Sequence, residues 1–196
     1  VAGVELLGAL PEPVRGLVAD FENTMLADAN TWTEISRFGS NLQPYSDPAL
    51  KSRRQYLEFL RCLASAGILG HTSTCRGRVG AFAVSKKAKW VDGQKVDRQR
   101  LVLDCRQTNA LFRPSPHTEL GSLQALADLE IGDQPLFLAG ADIRDCFYAV
   151  SMPSSLWDYF CFEQDVTVEE ARSIWGEDIL CKGPLSPCVT VLPMGF

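Results

Sequence analysis

The sequence predicts an α+β fold, because one segment has the apolar spacing of a helix and two others have the composition of paired strands. The helix is expected after Ser46-Asp47-Pro48, where Asp can cap it and Pro suits its first turn, and it should stop at Gly67. Its apolar positions share one face: Leu50, Leu57, Leu60 and Ala64. Residues 79–84 and 100–105 are predicted strands, joined by a polar loop with the turn-forming pair Asp92-Gly93.

Weaker signals predict helices elsewhere. Residues 1–45 contain a helical stripe after two prolines, made of Val14, Leu17, Val18, Phe21 and Met25. Thr118 can cap a short helix that runs through Leu129. Thr167 and Glu170 form a capping box for a helix that should end at Gly176.

The charge is unevenly distributed along the chain. The 196 residues carry a net charge of −5. Between Arg76 and Arg106, however, nine basic residues face three acidic ones, so this stretch carries +6 and the rest −11. Such a basic region on an acidic body suits a surface that contacts nucleic-acid phosphates. Lys and Arg on the solvated edge of a hairpin would give the same pattern.

Cysteine content and hydropathy favour an intracellular location, in the cytoplasm or the nucleus. Seven cysteines with no C-x-x-C pair predict free thiols in a reducing compartment rather than a zinc site or a disulfide scaffold. No apolar stretch is long enough to span a bilayer, so no membrane partner is expected. The 46% hydrophobic content is sufficient for a real core.

Two carboxylates follow a short apolar run and form a candidate metal site. Leu136, Phe137 and Leu138 predict a buried strand that ends at Asp142, and Asp145 follows three residues later. Carboxylates held by rigid backbone are the ligands that Mg²⁺ requires for phosphoryl transfer. A strand-end acid that caps the next turn is the alternative interpretation.

Three segments, taken in chain order, resemble a reverse transcriptase of the retrovirus or LTR-retrotransposon type. Arg100, Asp104, Arg106 and Asn109 keep the spacing R-x-x-x-D-x-R-x-x-N of the family's fingers. Asp142, Asp145 and Phe147 match its motif A, and residues 192–196, read as LPMGF, match the start of motif B. The resemblance covers about residues 45–196 and implies an RNA-directed DNA polymerase.

The resemblance implies a division into fingers and palm. It predicts an N-terminal helical segment at 1–45, fingers at 46–130 with a basic hairpin, and a partial palm at 131–196 with an antiparallel sheet and packed helices. The family's second pair of metal ligands is an Asp-Asp hairpin, and no Asp-Asp pair occurs in this chain. The chain is therefore expected to be a fragment that is inactive alone.

The same resemblance implies the site roles. Asp142, with the carbonyl of Ile143, would bind two Mg²⁺ ions and act as the catalytic carboxylate. The nucleotide would contact Lys86, Arg100, Asp145, Cys146, Phe147, Met194 and Gly195. Phe147 would exclude ribonucleotides by filling the space of a 2′-hydroxyl. The nucleic acid would contact Lys87, Lys89, Arg76 and Arg78, while Asp104 and Arg106 would form a structural ion pair.

The expected partners are an RNA or DNA template–primer and deoxynucleoside triphosphates. Two other functions are compatible with the motifs. The chain could be a catalytically dead or domesticated retroelement remnant that binds nucleic acid or protein. It could also belong to an RNA-templated RNA polymerase, although an aromatic residue at position 147 argues against this.

Overall fold

A computed structural model of the chain describes residues 3–28, 43–114, 128, 137, 139–143, 145–179 and 182–194. It contains two compact units, one made of Val1–Arg113 with Cys146–Phe196 and the other of Pro114–Asp145. All the helices and strands found within the described residues lie in the first unit. That unit mixes α and β structure, as the sequence predicts.

A five-stranded sheet forms the centre of the first unit. Strands are numbered in chain order as β1 Val4–Glu5, β2 Leu69–Thr72, β3 Arg78–Val91, β4 Gln94–Asp104, β5 Val150–Ser151, β6 Cys161–Phe162 and β7 Ser186–Val189. The order across the sheet is β2-β7-β6-β3-β4, and β1 pairs separately with β5. The sheet thus joins strands from both the predicted fingers and the predicted palm segments.

The antiparallel sheet expected in the palm segment is found for β6 and β7, but two pairs that include a strand from outside that segment are parallel. Strand β6 runs parallel to β3, and the separate β1–β5 pair is also parallel. Parallel neighbouring strands require a long crossover connection. More than fifty residues separate the end of β4 from β6, which is long enough for β6 to pair with β3 in the parallel direction.

The structure places six helices within the residues that it describes. They are α1 Leu6–Ala9, α2 Val14–Ala19, α3 Phe21–Thr24, α4 Arg53–Ser65, α5 Arg106–Asn109 and α6 Val168–Trp175. Short 3₁₀ helices are found at Pro48–Lys51, Cys146–Ala149 and Ser154–Tyr159. The capping box of α6 is present as predicted, and the helix ends at Gly176 with φ of 106°.

Two helix predictions are corrected: one helix starts later than expected, and the other is interrupted. The helix expected from Pro48 begins as a 3₁₀ turn, in which the Asp47 carboxylate accepts a hydrogen bond from Ala49 N at 2.9 Å. Ser52 is then extended, so α4 starts at Arg53. The N-terminal stripe is broken at Asp20, whose φ of −105° and ψ of 40° lie outside helical geometry.

The core lies where α4 and α6 meet the sheet. Leu60 of α4, Ala171 of α6 and Val79 of β3 are fully buried or nearly so, together with Leu156 and Phe160. At the rim, the Arg53 guanidinium pairs with the Glu170 carboxylate. The base of β3 and β4 is therefore buried in this packing, while their far ends are exposed to solvent.

The strand predicted to lead into Asp142 is not found among the described residues. Phe137 is 87% exposed, and residues 139–143 are exposed and belong to no strand. An apolar run forms a buried strand only when a neighbouring strand satisfies its backbone groups, and none pairs with this part of the described chain. Leu136 and Leu138, and the helix predicted from Thr118, lie outside the described residues.

No helix in the described part of the chain is both long enough and apolar enough to cross a membrane.

Candidate nucleic-acid interface

A long hairpin formed by β3 and β4 carries most of the basic stretch. The strands pair from Gly80–Asp104 at the base to Val91–Gln94 at the tip. Asp92 and Gly93 both have positive φ, 49° and 77°, which is the geometry of a type I′ turn. The turn that the sequence predicts at Asp92-Gly93 is therefore confirmed.

One face of the hairpin collects four cations. Directly paired residues of an antiparallel ladder point to the same face, and the ladder pairs Lys89 with Val96, Lys86 with Arg98 and Val84 with Arg100. We call the surface formed by Lys86, Lys89, Arg98 and Arg100 the cation face. A bulge between Lys86 and Lys89 inserts one extra residue, which brings two lysines three residues apart onto the same side.

The cation face is electrostatically uncompensated. None of its four side chains forms an ion pair with another described residue. Asp97 lies on the other face, because it alternates with Val96 and Arg98 along β4. Four exposed or partly exposed cations without carboxylate neighbours can bind an anion without first breaking a salt bridge.

A cleft of about 430 Å³ opens at the base of the cation face. Its lining mixes apolar, aromatic and charged groups: Tyr45, Phe82, Val102, Leu103, Asp104, Cys105, Arg106 and Asn109. The Tyr45 and Phe82 rings meet edge to face at 5.2 Å. Phe82 and Val102 form the ladder pair that follows Val84 and Arg100, so the cleft continues the cation face toward the core.

Asp104 holds this cleft together, and the expected ion pair with Arg106 is present. Its carboxylate accepts hydrogen bonds from the Arg106 guanidinium at 2.6 and 2.9 Å and from Tyr45 N at 2.7 Å. Asp104 is only 8% exposed. The hydrogen bonds from Arg106, supported by that from Tyr45 N, lower the Asp104 pKa to about 2, so the carboxylate is ionised at neutral pH.

A glycine lets another segment cross the sheet beside Asp104. Residues Tyr45–Asp47 pass over β3, and we call them the crossing segment. Two hydrogen bonds attach them there: Asp47 N donates to Ala81 O, and Ala81 N donates to Ser46 Oγ. A Cβ on Gly80 would lie 2.0 Å from Tyr45 O. Only glycine permits this approach, and Tyr45 reaches the cleft as a result.

Within the first unit, hydrogen bonds link the segments of Arg100, Phe147 and Leu192. The Tyr148 hydroxyl donates to Leu101 O at 3.0 Å, which attaches the 3₁₀ turn of Phe147 to the strand of Arg100. Leu192 N, from the third segment, donates to Val150 O at 2.9 Å. Phe147 and Met194 are 44% and 45% exposed, and Cys146 is exposed. Sequence reasoning missed Tyr148, whose role depends on a partner 47 residues away.

Two of the predicted nucleic-acid contacts are occupied by internal interactions. Arg76 lies over the Tyr159 ring at 5.7 Å and donates to its hydroxyl at 3.0 Å. Arg78 donates to Phe162 O and pairs with Asp165 at 3.3 Å. Both residues contribute to the packing at the base of the hairpin. By contrast, Lys87 is exposed in the bulge.

The predicted metal ligands belong to the second unit. Asp142, Asp145 and Ile143 are exposed, and Asp145 has φ of 51°. Their oxygens suit Mg²⁺, but no cluster of three or more metal-ligating side chains exists among the described residues. Gly195 lies outside the described residues.

Comparison with known proteins adds no assignment. The chain matches no protein-family model, and no curated protein matches it.

Proposed function

We propose that this chain is the fingers and the first part of the palm of a reverse transcriptase, which transfers nucleotidyl groups from deoxynucleoside triphosphates to a primer 3′-hydroxyl. One observation carries the proposal. Three segments that are distant in sequence, around Arg100, Phe147 and Leu192, are joined by hydrogen bonds. A polymerase requires this convergence because the nucleotide contacts all three motifs.

Lys86 and Arg100 bind the triphosphate in this proposal. Both lie on the cation face, on neighbouring strands, and neither forms an ion pair with a described residue. Arg binds phosphate through its planar fork, whereas Lys acts as a compact point charge. Phe147 packs against the sugar, where its ring leaves no volume for a 2′-hydroxyl, and Cys146, Asp145 and Met194 border the nucleotide.

Asp142 and the carbonyl of Ile143 hold magnesium in the proposed enzyme. Magnesium bound there would supply positive charge to the phosphates and lower the pKa of the primer hydroxyl. The protein residues supply positioning: the cation face fixes the phosphates, and the aromatic ring of Phe147 fixes the sugar.

A second candidate function is nucleic-acid binding without catalysis. It is favoured by the exposure of residues 139–143 and by their position outside any strand. A catalytic carboxylate requires rigid backbone, so an Asp142 without strand support fits a remnant that retains only the cation face.

Binding of an RNA–DNA hybrid tests the interface shared by both candidates. Fluorescence anisotropy over a range of salt concentrations measures how many phosphates the protein neutralises, since each contact contributes about 0.9 to the slope of log affinity against log salt. Replacing Lys86, Lys89 and Arg100 together by Gln should flatten the slope by about 2 to 3 units.

The chain offers a control with the same change in charge. Lys51, Arg54 and Lys182 are exposed and lie outside the hairpin, and their joint replacement by Gln should change the slope little. Equal effects of the two triple variants would show that binding depends on net charge alone and would refute the cation face as an interface.

Primer extension distinguishes the two candidates. In a polypeptide in which this chain is continued by a palm hairpin with adjacent Asp residues, Asp142→Asn should abolish extension with deoxynucleotides, because Asn removes the charge that two cations require. Phe147→Ala should raise ribonucleotide incorporation relative to deoxynucleotide incorporation. Extension that is unchanged by Asp142→Asn would refute the catalytic assignment, and absent extension with intact hybrid binding would favour the binding module.

A further inference from the structure

The tip of the hairpin exposes a tryptophan. Trp90 is 70% exposed and immediately precedes Val91 and the Asp92-Gly93 turn. Val91 and Val96 beside it are each 44% exposed. Tryptophan is highly buried on average, so a Trp ring left this accessible on a projecting hairpin indicates a contact surface.

Trp90 lies on the face opposite the cation face. The ladder pairs Trp90 with Lys95 and the adjacent Lys89 with Val96, and successive residues of a strand alternate in direction. Trp90 and Lys95 therefore point one way, while Lys89 and Arg98 point the other. The aromatic surface thus has its own cation, and the distal part of the hairpin, residues 85–99, carries five basic and two acidic residues.

We infer that the hairpin tip binds an unpaired nucleic-acid strand, with a base stacked on Trp90 and adjacent phosphates near Lys95. This inference rests on the proposed function and assigns the tip a partner. An indole ring beside a lysine on the same face provides the two contacts that non-specific single-strand binders use, which are stacking on the base and attraction to the backbone.

The placement of the two surfaces favours a single strand over a duplex. The faces of the hairpin are separated by one sheet layer, on the order of 10 Å. A duplex has a persistence length of about 150 base pairs, so one that contacts the cation face cannot turn around the tip to reach Trp90. A single strand bends at every nucleotide and can contact both sides.

The distribution of apolar groups argues against a membrane surface as the partner. A segment that lies in the interface needs its apolar residues on one face and its charges on the other. Here Trp90 points to one side and Val96 to the other, each beside a lysine.

The test compares single-stranded and double-stranded probes on the 196-residue chain. Anisotropy with a fluorescein-labelled oligodeoxythymidylate should show that Trp90→Ala weakens binding about 5- to 150-fold, the range for loss of one stacked base. Trp90→Phe should retain most of the affinity, because it keeps a π face. Val91→Ala is the matched control, since it removes exposed apolar area without an aromatic ring and should change affinity less than about 2-fold.

A blunt RNA–DNA hybrid serves as the second probe and should bind Trp90→Ala as well as it binds the parent chain. Equal weakening on both probes, or equal weakening by Val91→Ala, would overturn the inference. So would Trp90-dependent binding to phosphatidylserine vesicles combined with unchanged oligonucleotide affinity.

The outcome for the proposed function is separate. The proposed function is tested by hybrid binding through the cation face. If Trp90→Ala fails to weaken single-strand binding, the salt dependence of hybrid binding is unaffected. Conversely, failure of the Lys86, Lys89 and Arg100 variant to alter hybrid binding refutes the proposed interface even when Trp90→Ala weakens single-strand binding.

Discussion

Replacing Asp104 by Asn should destabilise the first unit more than any other charge removal on the hairpin. The carboxylate accepts four hydrogen bonds, from Tyr45 N and from three nitrogens of Arg106. Asn keeps the shape but replaces one oxygen by an NH₂ group, which then faces a donor. The variant thus loses charge-assisted bonds and leaves a buried donor without an acceptor.

The magnitude follows from the pKa and from the burial of the pair. Lowering the Asp104 pKa from its ordinary 3.8 to about 2 corresponds to about 2 kcal/mol of preference for the ionised form in the folded state. Solvent screens the Arg106 side chain, which is 61% exposed, so about 1 to 2 kcal/mol remains. Burying the unpaired N–H contributes a further 1 to 3 kcal/mol, roughly.

Urea denaturation followed by circular dichroism measures the change, and its pH dependence tests the cause. Because the folded pKa of Asp104 is depressed, its stabilisation is fully present above pH 3.8 and is lost as the pH falls through about 2. The parent chain should therefore lose stability in this window, whereas Asp104→Asn should lack this component.

Asp97→Asn provides the matched control. It removes a carboxylate from the same strand at an exposed position, so it should change the free energy of unfolding by less than about 0.5 kcal/mol. Equal destabilisation by the two variants, or an unchanged acid profile in Asp104→Asn, would refute the anchoring role of Asp104.

Three further predictions concern other positions in the first unit. Gly80→Ala should lower the free energy of unfolding, measured by urea denaturation, by about 1 to 3 kcal/mol, because the added Cβ would collide with the backbone of the crossing segment. Gly183→Ala is the control: its Cβ would meet no atom within 4 Å, so it should have little effect. Alkylation of Cys75 by iodoacetamide should rise through pH 7, since its hydrogen bond with Cys161 lowers its pKa to about 7; a rise centred near pH 9 would contradict this. Thr167→Ala should cost about 1 kcal/mol by removing the cap of α6, and Thr167→Ser should restore it.

Local chemistry determined the features that depend on a few neighbouring residues. The Asp92-Gly93 turn, the Thr167–Glu170 capping box and the helix stop at Gly67 follow from backbone preferences and short-range hydrogen bonds. These interactions form within one turn of chain, so their residues identify them before any tertiary contact is known. The α+β class follows from the same local signals.

Tertiary structure decided which groups lie together. The bulge that places Lys86 and Lys89 on one face depends on pairing with β4, and the Tyr148 contact depends on a carbonyl group 47 residues away. The apolar run before Asp142 has the composition of a strand, but the described residues there have no strand beside them. Composition fixes how strongly a segment prefers burial, whereas the available neighbours fix whether it is buried, and only the folded chain supplies those neighbours.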